Sequence, residues 1–164
     1  MTENILVKLF EHNNWANLRI IEACSALSDE QLDAEPQSAT KGSIRLTLSH
    51  LVNSQRGYLS LLTLPVEARH HAPPTFAGLQ ESARISGERL LELARDESKL
   101  PQTQLQTTDG YFVEPWVIMV QIINHATEHR EQISSMLSAL GVTPPDLDGW
   151  AYGFVTNALI PIST

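Results

Sequence analysis

The sequence has few of the residues on which several common protein classes depend. It contains one cysteine, Cys24, which excludes an internal disulfide and any cysteine-rich zinc finger. Lysine and arginine together number 11 against 19 aspartates and glutamates, and no segment gathers the cations into a basic patch. Because a formal net charge of −8 repels a phosphate backbone, we expect no nucleic-acid partner.

Long apolar runs are also missing. No run approaches the ~20 residues that span a bilayer, which predicts no transmembrane segment and no membrane partner. Residues 1–4 lack the basic start and apolar core of a secretory signal, so we expect a cytoplasmic protein. With 164 residues, 42% of them hydrophobic, the chain has the size and composition of a single domain over residues 1–164.

Apolar residues recur at helical spacing over four long segments. These segments are residues 2–27, 44–64, 75–97 and 115–140. Ser43 and Thr75 are suitable N-caps for the second and third segments, and Pro115 suits the first position of the fourth. A capping box at residues 28–31 predicts one short helical turn, and the tail 143–164 is predicted to contain a short closing helix.

Residues 104–113 have a different pattern from the helical segments. Polar and apolar residues alternate there on either side of Asp109-Gly110, which predicts a small β-hairpin. An isolated hairpin is only marginally stable, so we expect it to pack against the helices. The predicted fold is therefore all-α, a four-helix bundle with a hairpin between helices three and four.

Two of the six histidines, His125 and His129, stand four residues apart on the fourth predicted helix. At this spacing the side chains lie one above the other, on or beside the apolar stripe that faces the bundle interior. Two neutral imidazoles so placed form half of a divalent transition-metal site. The alternative is a pair of core histidines, which would each have to satisfy a donor and an acceptor separately. We favour the metal site.

The zinc-protease helix motif does not fit this pair. That motif needs a glutamate directly after the first histidine, and Ala126 stands there. We interpret Glu128 as a solvated carboxylate, or one that supports a ligand, rather than a general base.

A third ligand is needed, and the remaining histidines and the carboxylates are the candidates. His70 and His71 fall in a proline-bounded loop, which favours an exposed pair. His12 lies at the polar edge of the first helix and is interpreted as a surface or hydrogen-bonding residue. His50 lies on a helix that is apolar nearly all round, and periodicity does not decide whether it faces inward.

The sequence resembles the DinB/YfiT-like family over nearly its whole length. The matching segments are residues 14–17 (Asn-Trp-Ala-Asn), 49–52 (Ser-His-Leu-Val), 124–133 and 140–148. The most specific part is His-x3-His-Arg-x-Gln-Ile from His125, followed by Leu-Gly-x-x-Pro-Pro from Leu140.

The resemblance implies an up-down-down-up bundle, commonly a homodimer, with one divalent metal held by three histidines. Carried over residue by residue, the ligands are His50, His125 and His129. Nitrogen ligands favour Zn²⁺ or Ni²⁺, although ligand type does not separate these ions from Fe²⁺ or Mn²⁺. Three protein ligands would leave a coordination position open, as in catalytic sites.

Two functional hypotheses follow. The first is a metal-dependent enzyme, either a hydrolase or a transferase dependent on a low-molecular-weight thiol, with a small-molecule substrate for which a thiol is one candidate. The thiol chemistry comes from the resemblance, since the fold includes thiol-dependent transferases and isomerases. The alternative is a non-catalytic dimeric metal-binding module that responds to stress or to a ligand. A purely structural bundle with satisfied core histidines is the third and least favoured interpretation.

Other residues of the specific segments have predicted supporting roles. Gln132 is expected to orient a ligand or to bridge helices. We expect Arg130 to pair with Asp146 or Asp148 and so to fix the tail over the bundle. Core or dimer packing is predicted for the three tryptophans, Trp15, Trp116 and Trp150.

Overall fold

The computed structural model describes residues 4–37 and 41–162. Within these ranges the helices are α1 (Ile5–Ser25), α2 (Asp29–Asp33), α3 (Ile44–Thr63), α4 (Leu79–Arg95), α5 (Pro115–Ala139) and α6 (Gly149–Val155). The strands β1 (Leu105–Gln106) and β2 (Phe112–Val113) form the predicted antiparallel hairpin before α5. None of the described helices is long and apolar enough to cross a bilayer.

Most helix ends lie where the capping residues predict them. The Ser43 side chain accepts from the Leu46 N–H at the start of α3, and Ser28 and Gln31 form the expected capping box. The third long helix is shorter than the predicted 75–97, because a 3₁₀ turn at Phe76–Gly78 precedes it. At its other end the Asp96 side chain caps a separate turn, Glu97–Lys99, which stops α4 at Arg95.

The two ends of the hydrophobic core establish the helix directions. At one end the last turns of α1 and α5 pack against the first turns of α3 and α4, as shown by Cys24, Met136, Ile44 and Leu79. At the other end the start of α1 and of α5 meets the last turns of α3 and α4. Helices α1 and α5 therefore run one way and α3 and α4 the other, which confirms the up-down-down-up bundle.

A buried chain of hydrogen bonds links all four long helices. The Asn17 amide of α1 donates to Gln55 Oε1 of α3 at 2.8 Å, and Gln55 Nε2 donates to Ser86 Oγ of α4 at 2.7 Å. Arg130 of α5 donates through Nη1 to Asn17 Oδ1 at 2.6 Å. Because buried polar groups are costly to leave unpaired, this chain fixes how far α3 and α5 can slide along one another.

The predicted ion pair between Arg130 and the tail acids is wrong. Arg130 is only 3% exposed and donates to Asn13 and Asn17 inside the bundle and to Thr127. Burial lowers its pKa to about 10, although the nearby Glu131 carboxylate acts in the opposite direction. Asp148 instead caps α6 by accepting from the Ala151 N–H.

Two of the three tryptophans lie outside the core of the chain, so for these two only the predicted dimer packing remains. Trp116 is 64% exposed and Trp150 74% exposed in the chain, so neither belongs to its core. Trp15 is half-buried and packs its ring against His12 and Tyr152, which holds α6 against α1.

Candidate metal centre

The structure brings His50, His125 and His129 together at the contact between α3 and α5. Their possible ligand nitrogens all lie within 4.8 Å of one another. His125 Nε2 is central, 3.1 Å from His50 Nε2 and 3.1 Å from His129 Nε2. The helical spacing of four residues stacks the two α5 imidazoles, and the side-by-side packing of α3 brings in the third.

Gln132 orients the innermost of the three rings. Its Oε1 atom lies 2.8 Å from His129 Nδ1, one turn further along α5. Because an amide oxygen only accepts, the network assigns the ring proton to Nδ1 and leaves a lone pair on His129 Nε2. Outer partners of this kind are typical of metal-binding histidines.

Burial keeps the outer two imidazoles neutral. The pKa of His125 falls to about 4, mainly because burial penalises the charged ring, with further contributions from His129, His50 and Lys41. The pKa of His50 is lowered by burial first, then by His129 and Lys41. Both rings therefore present unprotonated nitrogens at neutral pH, the form that binds a metal.

Two of the three nitrogen–nitrogen distances are close to those of a divalent transition-metal site, and all three are within 4.8 Å. In four-coordinate zinc sites with Zn–N bonds of about 2.0–2.1 Å, neighbouring nitrogens lie roughly 3.3 Å apart. The two 3.1 Å distances are close to this value. A single proton on His125 Nε2 can be aimed at only one of its two neighbours, whereas one cation would satisfy all three lone pairs.

The other predicted candidates lie elsewhere. His12 Nε2 contacts the Leu147 carbonyl oxygen at 2.8 Å, as expected for a hydrogen-bonding residue. His70 and His71 are exposed. Glu128 is exposed and accepts from Gln132 Nε2 at 3.4 Å, so its carboxylate is solvated and touches the residue that supports His129.

The ring of Tyr58, a residue not predicted from the sequence, borders the centre. The ring centroids of Tyr58 and His125 are 5.6 Å apart in an edge-on arrangement. Gln121 Nε2 donates to the Tyr58 hydroxyl at 3.4 Å. A signal was present, because Tyr58 stands two helical turns after His50 and Gln121 one turn before His125.

Cys24 is buried in the core and is separate from this centre. Burial raises the pKa of its thiol to about 12, which removes the reactive thiolate at neutral pH. We therefore predict that Ellman's reagent at pH 8 labels Cys24 only after the chain is unfolded in guanidinium. Rapid labelling of the native protein would contradict this burial.

Comparison with known proteins yields matches over most of the chain. The profile of the DinB family matches residues 1–160. Protein DinB of Bacillus subtilis (strain 168) is 27% identical over 163 residues, covering 92% of this chain and 94% of that protein. The crystal structure of a protein from Exiguobacterium sibiricum 255-15, assigned to the same family, aligns with a TM-score of 0.64. That alignment has 16% identity and covers 86% of this chain and 94% of the other, so it supports the fold alone.

Proposed function

This chain belongs to the DinB family, and on that premise we propose that it is a divalent-metal-dependent enzyme. His50, His125 and His129 would hold one ion, with Zn²⁺ or Ni²⁺ favoured over Fe²⁺ or Mn²⁺. We propose a hydrolase or a transferase dependent on a low-molecular-weight thiol, acting on a small-molecule substrate.

A cytoplasmic location is proposed as well. Homodimerisation, also proposed from the resemblance, is checked by light scattering for the mass of two chains.

The number of protein ligands is the observation that carries this proposal. Among residues 4–37 and 41–162, no cysteine or carboxylate joins the three histidines in the group. Structural zinc sites are closed by four protein ligands, whereas catalytic sites keep one position for water or substrate. A three-nitrogen set therefore supports a catalytic centre over a non-catalytic metal-binding module.

Each residue of the centre has a definable part in such chemistry. When bound, the ion would polarise a substrate carbonyl or activate water or a thiol for attack. Gln132 holds the His129 ring by accepting from Nδ1–H, and the ring of Tyr58, on α3, lies edge-on beside that of His125. Because Cys24 is buried, a reacting thiol would have to come from a small molecule.

Metal content and coordination test the proposal. Protein purified anaerobically, or metal-free protein titrated with Zn²⁺ or Ni²⁺, should contain about one ion per chain, as for a mononuclear site. In the Co²⁺-substituted protein, a small thiol such as 2-mercaptoethanol should change the visible spectrum by entering the open position. If the protein takes up none of Zn²⁺, Ni²⁺, Fe²⁺ and Mn²⁺, the proposal of metal binding is overturned. Uptake with a spectrum that thiols and azide leave unchanged would favour the non-catalytic module.

Gln132 provides a narrower prediction. Replacing it with leucine removes the acceptor for His129 Nδ1–H, and we expect metal affinity to fall by about 10–100-fold. Gln132→Glu retains an acceptor at the same place and should keep most of the affinity. Competition with a chromophoric chelator measures both.

Glu128→Gln is the matched control for Gln132. Glu128 touches Gln132 but none of the three histidines closely enough to join their group. The metal affinity of the Glu128→Gln variant should remain within a few-fold of that of the parent. Equal losses in Gln132→Leu and Glu128→Gln would show that the hydrogen bond to His129 is not the cause.

A further inference from the structure

A groove lies between the second half of α3 and the hairpin. Ser54, Tyr58, Arg69, Thr107 and Thr108 are among its lining residues, and its volume is about 320 Å³. Pockets of roughly 300–1,000 Å³ are typical of small-molecule sites, in which a few polar groups fix the orientation of the ligand. The lining contains hydroxyl groups and one guanidinium, and no carboxylate among the described residues.

Arg69 is a prearranged cation in this groove. Its Nε donates to the Leu64 carbonyl oxygen at 3.0 Å, and its Nη1 donates to the carbonyl oxygen of Gln106 in the hairpin. No ion pair with a described carboxylate involves Arg69, and Nη2 has no hydrogen-bond partner among the described residues. Seven other cations do form such pairs: Lys8, Arg19, Arg45, Arg84, Arg89, Arg95 and Lys99.

The groove and the three-histidine centre share a wall. Tyr58 lines the groove, and its ring lies 5.6 Å from that of His125 between centroids. Ser54, another lining residue, follows His50 by four residues, or one helical turn. Since the rise is 1.5 Å per residue, the eight residues from His50 to Tyr58 span about 12 Å. The groove and the centre are therefore neighbours along α3.

We propose that this groove binds the carboxylate of the small-molecule substrate, with Arg69 as the anchoring cation and the hydroxyls of Thr107 and Thr108 as further donors. The proposal rests on the proposed function in one respect, namely that the other end of the ligand reaches the three-histidine centre. A guanidinium held in place by two backbone carbonyls loses little freedom when it binds. The chain has a net charge of −8 and therefore repels anions in general. A local cation such as Arg69 attracts an anionic ligand to this groove in spite of that repulsion.

S-methylglutathione is a suitable probe, because it carries two carboxylates while its methylated sulfur cannot act as a thiolate ligand. Binding to metal-free protein is measured by calorimetry, so the result does not depend on metal uptake. We expect Arg69→Gln to weaken binding by about tenfold or more and the parent affinity to fall as salt rises. The diethyl ester of the probe, with both carboxylates blocked, should bind the parent about as weakly as the acid binds Arg69→Gln.

Arg56→Gln is the matched control. Arg56 also donates to a loop carbonyl, that of Ala72, and has no ion pair with a described carboxylate, but it lines a separate cleft with Ser82 and Ile85. This variant should bind S-methylglutathione like the parent. Equal binding by Arg69→Gln and the parent, or an equal loss in Arg56→Gln, would overturn the proposal.

A second measurement uses the unmodified chain and so holds even if Arg69→Gln folds poorly. Titration with S-methylglutathione should shift the amide NMR signals of Gly57, Thr107 and Thr108, which line the groove. Shifts confined to other regions would overturn the groove assignment. If these signals shift while Zn²⁺ fails to bind, the carboxylate site stands and the metal-dependent function fails. If Zn²⁺ binds and these signals do not shift, the metal-dependent function stands and the carboxylate site fails.

Discussion

Replacing His125 with alanine is expected to abolish stoichiometric metal binding. His125 Nε2 is the atom shared by both short contacts, at 3.1 Å from each of the other two imidazoles. Its loss leaves two nitrogens, one on α3 and one on α5, with no ligand between them. Removing a ligand should cost more than the ~10–100-fold that the loss of an outer partner costs. The metal content of the dialysed protein, measured by plasma mass spectrometry, should fall from about one ion per chain in the parent to almost none in His125→Ala.

His71→Ala is the control for this experiment. His71 is exposed on the loop between α3 and α4, and its Nδ1 contacts only the nearby Arg69 carbonyl oxygen at 3.3 Å among the described residues. It should keep the full metal content. Retention of one tightly held ion by His125→Ala, or its loss from both variants, would show that the three-histidine group does not hold the metal.

Much of the fold was predictable because local chemistry specifies it. The Ser43 cap, the proline at the start of α5 and the turn at Asp109-Gly110 each act within a few residues. Gly110 adopts a φ of +94°, a conformation that glycine reaches without steric cost, and this allows the hairpin to reverse. Periodicity then identified the four helices, since each buries one face.

The centre was only partly predictable, because its parts meet through long-range packing. His125 and His129 share one helix, and their spacing was sufficient to pair them. The position of His50 depends on how α3 lies against α5, which periodicity left open and the family resemblance indicated. The spacing of Tyr58 from His50 was a usable signal, whereas Arg69 had no distinguishing local pattern, so only the structure brings Arg69 into one groove with Tyr58.

Arg130 shows how charge can mislead a sequence-based prediction. It stands four residues after Ala126 and three before Ile133, both buried, so its position on α5 already indicated the interior. We expected Arg130 to pair with Asp146 or Asp148, and arginine is in general rarely buried without a charged partner. The interior acceptors are two asparagines one turn apart on α1, Asn13 and Asn17, whose shared face was the overlooked signal.

Replacing Arg130 with methionine is therefore expected to destabilise the bundle strongly while keeping most of the packed volume. The substitution orphans the buried Oδ1 atoms of Asn13 and Asn17, at a cost of about 1–3 kcal/mol each. Removal of a buried charge that has no carboxylate partner among the described residues offsets part of that cost. We expect a net loss of about 2–4 kcal/mol in the free energy of unfolding, measured by urea denaturation of metal-free protein.

A double-mutant cycle separates the hydrogen bonds from the packing. Asn13→Ala removes one acceptor, and the Asn13 Nδ2 atom is already buried with no hydrogen-bond partner among the residues that the structure describes. The double variant Arg130→Met/Asn13→Ala should be more stable than the sum of the single changes predicts, by about 0.5–3 kcal/mol. Arg19→Met, at an exposed i,i+3 pair with Glu22, should change stability by no more than about 0.5 kcal/mol. Strict additivity in the cycle would mean that Arg130 stabilises the bundle by filling space rather than by linking α5 to α1. In that case the apolar core, and not the hydrogen bonds, would set the register between α3 and α5. The same apolar packing would then align His50 with the two α5 histidines.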